Sequence, residues 1–203
     1  MKNFIVGIGG TGAKCLEHLL HCCASGLGPE KLWMGMVDQD EANGNISRTK
    51  IQLTKYMNLR SSLRDEAKHD LSKDSSLFKT DITSNPDSVW LPLKGSDPTL
   101  EEVIFYNSLK LEVKGLMDCL YDPTERKQNL SEGFRARPNI GAVAMLATTS
   151  DEKDVFWSKI FKAIDSARGG EEVRVFIISS IFGGTGASGF ANIARRIKTI
   201  QKE

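Results

Sequence analysis

The sequence predicts a doubly wound α/β domain, with a mostly parallel sheet flanked by helices. Two stretches carry that prediction, "FIVGIGGTGAKCLEHLL" near the amino terminus and "VRVFIISSIFGGTGASGFANIARRI" near the carboxyl terminus. Each runs a β-branched, apolar segment into a glycine loop and then into a helical pattern. A second apolar run, "LWMGMV", follows the first helix. It completes a strand–helix–strand unit whose right-handed crossover makes the two strands parallel. The further order of helices, then helix–strand–helix, fits helices layered over one sheet.

The first strand is expected at Asn3–Ile8 and the first helix at Ala13–Ser25, with Ala13, Leu16, Leu20 and Cys23 on one face. Gly26-Leu-Gly-Pro29 ends that helix. Leu32–Val37 is the second strand and runs into the acidic "DQDEANGN". From about 47 to 132 the pattern weakens and is expected to be a helical insertion. It holds a charged helix over Met57–Asp70, a short strand around Val89–Leu91, and one long helix over Thr99–Leu120 that Pro123 ends. After "EGFRARPNIG" a helical pattern runs through Met145. A capping box, Thr149-x-x-Glu152, opens the next helix, whose Trp157, Ile160, Phe161 and Ile164 share a face. Arg168-Gly-Gly170 ends it, Val173–Ser179 is a buried strand, and Ser188–Ile200 is the last helix.

At 203 residues the chain suits a single domain with a substantial core. A formal net charge of +1 argues against a general nucleic-acid or polyanion-binding role. The apolar run in MKNFIVGIGG is too short for a signal-peptide core, and none approaches membrane-spanning length, so the expected compartment is the cytoplasm. Cys15, Cys22, Cys23 and Cys119 form no paired C-x-x-C and no disulfide framework. Cys15, His18 and Cys22 share one helix face; packing on or beside the buried stripe is the favoured reading over a metal site.

A glycine turn between a parallel strand and a helix aims backbone N–H groups and the helix dipole at one spot, which suits phosphate. Thr11, Thr185 and Ser188 add hydroxyls to two such turns. The competing explanation is that glycine merely permits tight strand–helix packing, and a second loop in the same sheet weakens it. Gly7-x-Gly9-x-x-Gly12 with Asp38 at the end of the next strand matches the dinucleotide (Rossmann) fingerprint, and no lysine stands at the P-loop position.

Taken together, these residues resemble the nucleotide-binding half of the tubulin/FtsZ superfamily, in a divergent prokaryotic tubulin-like form. Gly183-Gly-Thr-Gly186 with Ala187-Ser188-Gly189 resembles the signature loop GGGTG[ST]G. Gly7-Ile-Gly-Gly-Thr-Gly12 resembles the first phosphate loop, and Gly133-Phe-Arg-Ala-Arg-Pro-Asn-Ile-Gly141 the loop facing the γ-phosphate. Asp38 and Asp40 fall at the acidic loop. The likeness covers roughly the first 46 and last 70 residues. It departs from the pattern where Phe182 replaces the first signature glycine and Ala187 the usual Ser/Thr, with Ser188 one residue on. Arg135 and Arg137 replace small or amide residues; they either pair with the γ-phosphate or face solvent.

The resemblance implies GTP or GDP with Mg²⁺ as cofactors. Gly9, Gly10, Thr11 and Gly12 would take the α- and β-phosphates, and Gly183, Gly184, Thr185, Gly186 and Ser188 the β- and γ-phosphates. Asp38 and Asp40 would order metal and water, with Arg137 and Asn139 sensing the γ-phosphate. It also implies head-to-tail self-association, and GTP hydrolysis only when a base-reading helix and a second, activating domain beyond Glu203 complete the protein. No catalytic residue is assigned.

Two rival readings stand beside it. Asp38-x-Asp40 and Asn45-Ile46-x-Arg48 after the first glycine loop resemble the ATP-dependent adenylylating enzymes that activate ubiquitin-like proteins, with spacing one residue short. There Arg48 would clamp ATP phosphates, and the second glycine loop is left unexplained. A NAD-binding oxidoreductase would need an acid/base constellation that His18, His21 and His69 do not obviously supply.

Overall fold

The computed structural model describes residues 1–40, 42–64, 76–93, 98–148 and 153–202. Its centre is a parallel sheet of five strands: β1 (Lys2–Ile8), β2 (Lys31–Val37), β3 (Asp81–Ile82), β4 (Val89–Trp90) and β5 (Val173–Ile178). The spatial order is β3-β2-β1-β5, with β4 also on β2. β3 pairs with the start of β2 (Lys31↔Asp81) and β4 with its end (Val37↔Trp90), so the two are halves of one interrupted edge strand. β1 sits between β2 and β5, with Gly7 opposite both Met36 and Ile178. The chain leaves β1 toward β2, while β5 lies on the other side, so the strand order reverses at the β1/β5 boundary.

Helices cover both faces, as alternation along the strands requires. On one side α1 (Gly9–Ala24) and α2 (Gly44–Arg64) bury Leu16, Leu20, Leu53 and Tyr56 against Leu32, Met34 and Met36. On the other, α6 (Pro138–Ala147), α7 (Val155–Arg168) and α8 (Gly184–Lys202) bury Ile140, Phe156, Trp157 and Ile193 against Val6, Ile8, Trp33 and Trp90. Gly35 leaves the room that the Trp33 indole fills; a Cβ there would lie 2.3 Å from its ring.

Several expectations change. Both principal helices begin earlier than periodicity indicates, at Gly9 rather than Ala13 and at Gly184 rather than Ser188. Their glycine loops are themselves wound into the first helical turn, a conformation that glycine's low propensity conceals. The single helix over Thr99–Leu120 is instead three pieces: α3 (Leu100–Val103), a 3₁₀ turn at Tyr106–Ser108, and α4 (Leu111–Leu120). Phe105, at φ 52, breaks it. Tertiary contacts hold the break: buried Arg126 of α5 (Pro123–Arg126) pairs with Glu101 at 3.2 Å and with Asp118, and packs over the Tyr106 ring.

The middle region enters the main fold, since β3 and β4 extend the sheet and Thr49 of α2 donates its hydroxyl to the Ala13 carbonyl at 2.9 Å. The carboxyl end of the expected 57–70 helix and the Thr149/Glu152 capping box lie outside the described residues; Asp154 caps α7 by accepting from the N–H groups of Phe156 and Trp157. β5 is a sheet edge rather than a buried strand, and its Phe176 is 51% exposed. Cys15, His18 and Cys22 face solvent rather than the core, and no group of three metal-ligating side chains occurs among the described residues.

Candidate functional site

A cleft of about 180 Å³ opens where β1 and β5 end side by side. Open α/β sheets place ligands at such a reversal point, outside the carboxyl ends of the strands. Four segments wall it: the turn from β1 into α1, the turn from β5 into α8, the loop Glu132–Arg135 ahead of α6, and the loop from β2 into α2.

The first two walls are helix amino termini. Ile8 caps α1 without any side-chain acceptor, so the N–H groups of Gly9, Gly10 and Thr11 carry the exposed positive end of a 16-residue helix. Gly183 plays the same part for α8, where the Ala187 N–H donates to the Gly183 carbonyl at 3.2 Å. The two turns touch. A Cβ on Gly9 would lie 3.2 Å from the Gly186 nitrogen, and Gly9 itself is at φ 72, where other residues are strained. Glycine therefore serves both conformation and close approach here.

Asp38 ties the walls together. It is 2% exposed and accepts from the Thr185 hydroxyl at 2.9 Å, the Gln39 N–H at 2.8 Å and the Asn43 amide at 3.0 Å. Burial pushes its carboxyl above the ordinary value, and the hydrogen bonds from Thr185 and from the backbone N–H groups of Asp40 and Gln39 oppose the shift. Its position is fixed from behind: the Gln39 side chain clamps Leu93 through both its amide groups, at 3.2 and 2.8 Å. Asn43 accepts from the Asn45 N–H at 2.9 Å and so shapes the start of α2.

The third wall is strained. Gly133, Arg135 and Ala136 all have positive φ, at 86, 43 and 58. Two consecutive non-glycine residues in the left-handed region persist only where the surroundings enforce them. Phe134 does so: it is buried, with its ring 2.6 Å from where a Gly141 Cβ would stand and its Cβ 3.0 Å from that of Gly184. Arg135 pairs with Glu132 at 2.7 Å, and both line the cleft.

Of the residues expected from sequence, Gly9, Gly10, Thr11, Asp38, Asp40, Gly183, Gly184, Thr185 and Gly186 converge on this cleft. Four sit elsewhere. Gly12 lies behind the wall, where a Cβ would be 2.7 Å from the Gly7 carbonyl carbon and 2.8 Å from the Ile178 oxygen. Ser188 is buried and donates to the Gly184 carbonyl at 2.7 Å, inside its own helix. Arg137 turns outward to Glu125 at 3.3 Å and Gln128 at 3.0 Å. Asn139 follows it into α6, its carbonyl accepting from the Tyr121 hydroxyl at 3.3 Å. Glu132, Asn43 and Ser180 take lining positions that sequence reasoning did not assign, and of the two arginines offered for the γ-phosphate it is Arg135 that lines the cleft. Arg135 stood in the quoted loop, but which of its two arginines faces inward depends on backbone handedness that residue identity does not reveal.

No family model, curated protein or solved structure matches this chain. The site must therefore be read from its own chemistry. Two helix amino termini and several glycine N–H groups suit an anion, whereas among the described residues the lining sets the carboxylates of Asp38, Asp40 and Glu132 against the guanidinium of Arg135. A polyanion there would need a cation to offset the carboxylates. Asp38 already accepts from four donors, counting a longer contact of 3.4 Å from the Asp40 N–H. Asp40 accepts from the Ala42 N–H at 3.0 Å and retains oxygen lone pairs for a metal. One carboxylate plus phosphate oxygens and water is a donor set that Mg²⁺ commonly takes.

Proposed function

We propose that this chain binds a nucleoside triphosphate, GTP with Mg²⁺, as the nucleotide-binding part of a tubulin/FtsZ-like protein. The observation that carries the reading is the contact between two glycine turns, each opening a long helix, at the reversal point of a parallel sheet. Two converging dipoles and their N–H groups suit a chain of phosphates better than a single one. Gly9, Gly10 and Thr11 bind one end of that chain through the backbone, and Gly184, Thr185 and Gly186 bind the other. Arg135, released from Glu132, pairs with a phosphate oxygen. Asp40 holds Mg²⁺, which neutralises the phosphates, while Asp38 and Asn43 orient the Thr185 hydroxyl and the acidic loop.

The rival sites are less well supported. A dinucleotide enzyme needs the acid after the second strand free for a ribose hydroxyl, and Asp38 is buried and engaged by Thr185 and Asn43. The adenylylating reading needs Arg48 at the phosphates; Arg48 is exposed on α2 and does not line the cleft. Isothermal titration with GTP, GDP, ATP and NAD, each with Mg²⁺ and with chelator, tests the proposal. Mg²⁺-dependent GTP binding is expected; NAD binding indifferent to chelator would overturn it. Head-to-tail assembly is proposed for the nucleotide-bound protein. Sedimentation that is unchanged between GTP and GDP would reject assembly without touching binding.

A further inference from the structure

We propose that the open edge of β5 pairs with β5 of a second copy of this chain, in an antiparallel register centred on Val175. The inference stands apart from the nucleotide reading and uses none of the cleft residues.

β5 pairs with β1 on one side, in unbroken register from Lys2↔Val173 to Gly7↔Ile178, and among the described residues nothing pairs with its other side. The Lys2 N–H donates to the Glu172 carbonyl at 2.8 Å. Successive residues of a strand turn their backbone groups to opposite sides, so Glu172, Arg174, Phe176 and Ile178 bond toward β1. Val173, Val175 and Ile177 therefore aim their N–H and C=O groups at the open edge. Natural edges are commonly blunted by proline, lysine or a bulge. The strand VRVFII has none of these.

The side chains divide by the same alternation. Val173, Val175 and Ile177 lie on the α7 and α8 side, where Val173 and Val175 border an apolar cavity of about 200 Å³ with Ile164 and Ile197. Arg174 and Phe176 lie on the other face, beside Asn3 and Ile5 of β1, and both are exposed. Arg174 pairs with Glu172 of its own chain at 2.7 Å.

What commits the edge to a second β5 is its match to itself. A two-fold axis at Val175 sets Val175 against the partner's Val175, and Val173 against the partner's Ile177. Every outward N–H and C=O of Val173, Val175 and Ile177 is then used in both copies. Centring on Arg174 would oppose like charges, and centring on Phe176 would leave Val173 opposite Ser179, outside the strand. With Val175 at the centre, Arg174 stands opposite the partner's Phe176 in a non-hydrogen-bonded pair, where side chains approach most closely. Each half-exposed ring gains a guanidinium over it. On the other face the partner's Val175 and Ile177 extend the apolar surface beside the cavity. The contact is isologous and closed, joins two sheets into one, and leaves the turn from Ser180 to Gly186 outside the paired segment.

Sedimentation equilibrium over a concentration series tests this with wild type, Val175→Pro, Phe176→Arg, and the double exchange Arg174→Phe with Phe176→Arg, each checked for folding by circular dichroism. Wild type is expected to approach twice the chain mass as concentration rises. Val175→Pro removes a central outward N–H without touching a bond to β1, a change that an edge strand tolerates, and is expected to stay monomeric. Phe176→Arg sets like charges opposite each other twice and weakens the dimer by about tenfold or more. The double exchange restores both pairs and brings the dimer back; should Val175→Pro not fold, this exchange decides. A monomeric wild type, a folded Val175→Pro that dimerises like wild type, or a double exchange as weak as Phe176→Arg alone would overturn the proposal. So would a monomer whose Val173, Val175 and Ile177 amides resist hydrogen exchange, since another segment of the polypeptide would then hold the edge.

Discussion

Asp38 is buried, acidic, and hydrogen-bonded to residues from two separate loops. Its pKa stands above the ordinary carboxylate value because desolvation outweighs the donors around it. The folded chain therefore holds this proton to higher pH than the unfolded chain does. By linkage, the contribution of Asp38 to stability is greatest below the unfolded pKa near ~4 and falls as pH rises through the raised folded value. Urea unfolding of wild type and Asp38→Asn across acidic and neutral pH should show the wild-type advantage shrinking upward through that window. An advantage that grows with pH would mean that the donors, rather than burial, dominate. Bound Mg²⁺ would lower the same pKa, giving the site a reason to keep an acid at this position.

At the scale of elements, the glycines fall into two groups that sequence spacing does not separate. Gly12 is a spacer: a Cβ would strike the β1 backbone and the Ile178 carbonyl, neither of which yields without parting α1 from the sheet. Gly183 borders open space at ordinary φ. Gly12→Ala should therefore lower unfolding free energy by about 1–3 kcal/mol, the usual cost of overpacking, and Gly183→Ala by less than about 0.5 kcal/mol. Chemical denaturation checks the pair, and equal losses would show that the contact at Gly12 relaxes freely. The strand–turn–helix units at both ends were legible in the sequence because their apolar runs and glycines are local signals. Phe105 was not, since its left-handed backbone is imposed by Arg126, Glu101 and Asp118 from other segments. β4 falls on the short strand expected around Val89–Leu91, whereas β3 escaped for a related reason: a two-residue strand carries no periodicity, and it exists because the β2 edge is there to pair with. In the cleft, the glycines and Asp38 could be read from motif order. Arg135 could not be told from Arg137, because the positive φ at Arg135 and Ala136 depends on Phe134 being wedged between two helices.

Across the whole molecule, topology does the work of bringing residue 9 beside residue 186. β5 must pair with β1 on the side away from β2, and both turns must start helices at the same end of the sheet. The result is one cleft with two positive helix ends facing, among the described residues, the carboxyl groups of Asp38, Asp40 and Glu132, so the proposed polyphosphate would need a divalent cation beside it. The most direct measurement is therefore titration of GTP with Mg²⁺ into Gly10→Val and Gly184→Val, alongside wild type, with thermal unfolding to establish that each variant is folded. If the two turns hold one polyphosphate, each substitution alone abolishes the binding seen in wild type. GTP binding that survives either substitution in a folded variant would mean that the turns do not share a ligand, and would contradict this account.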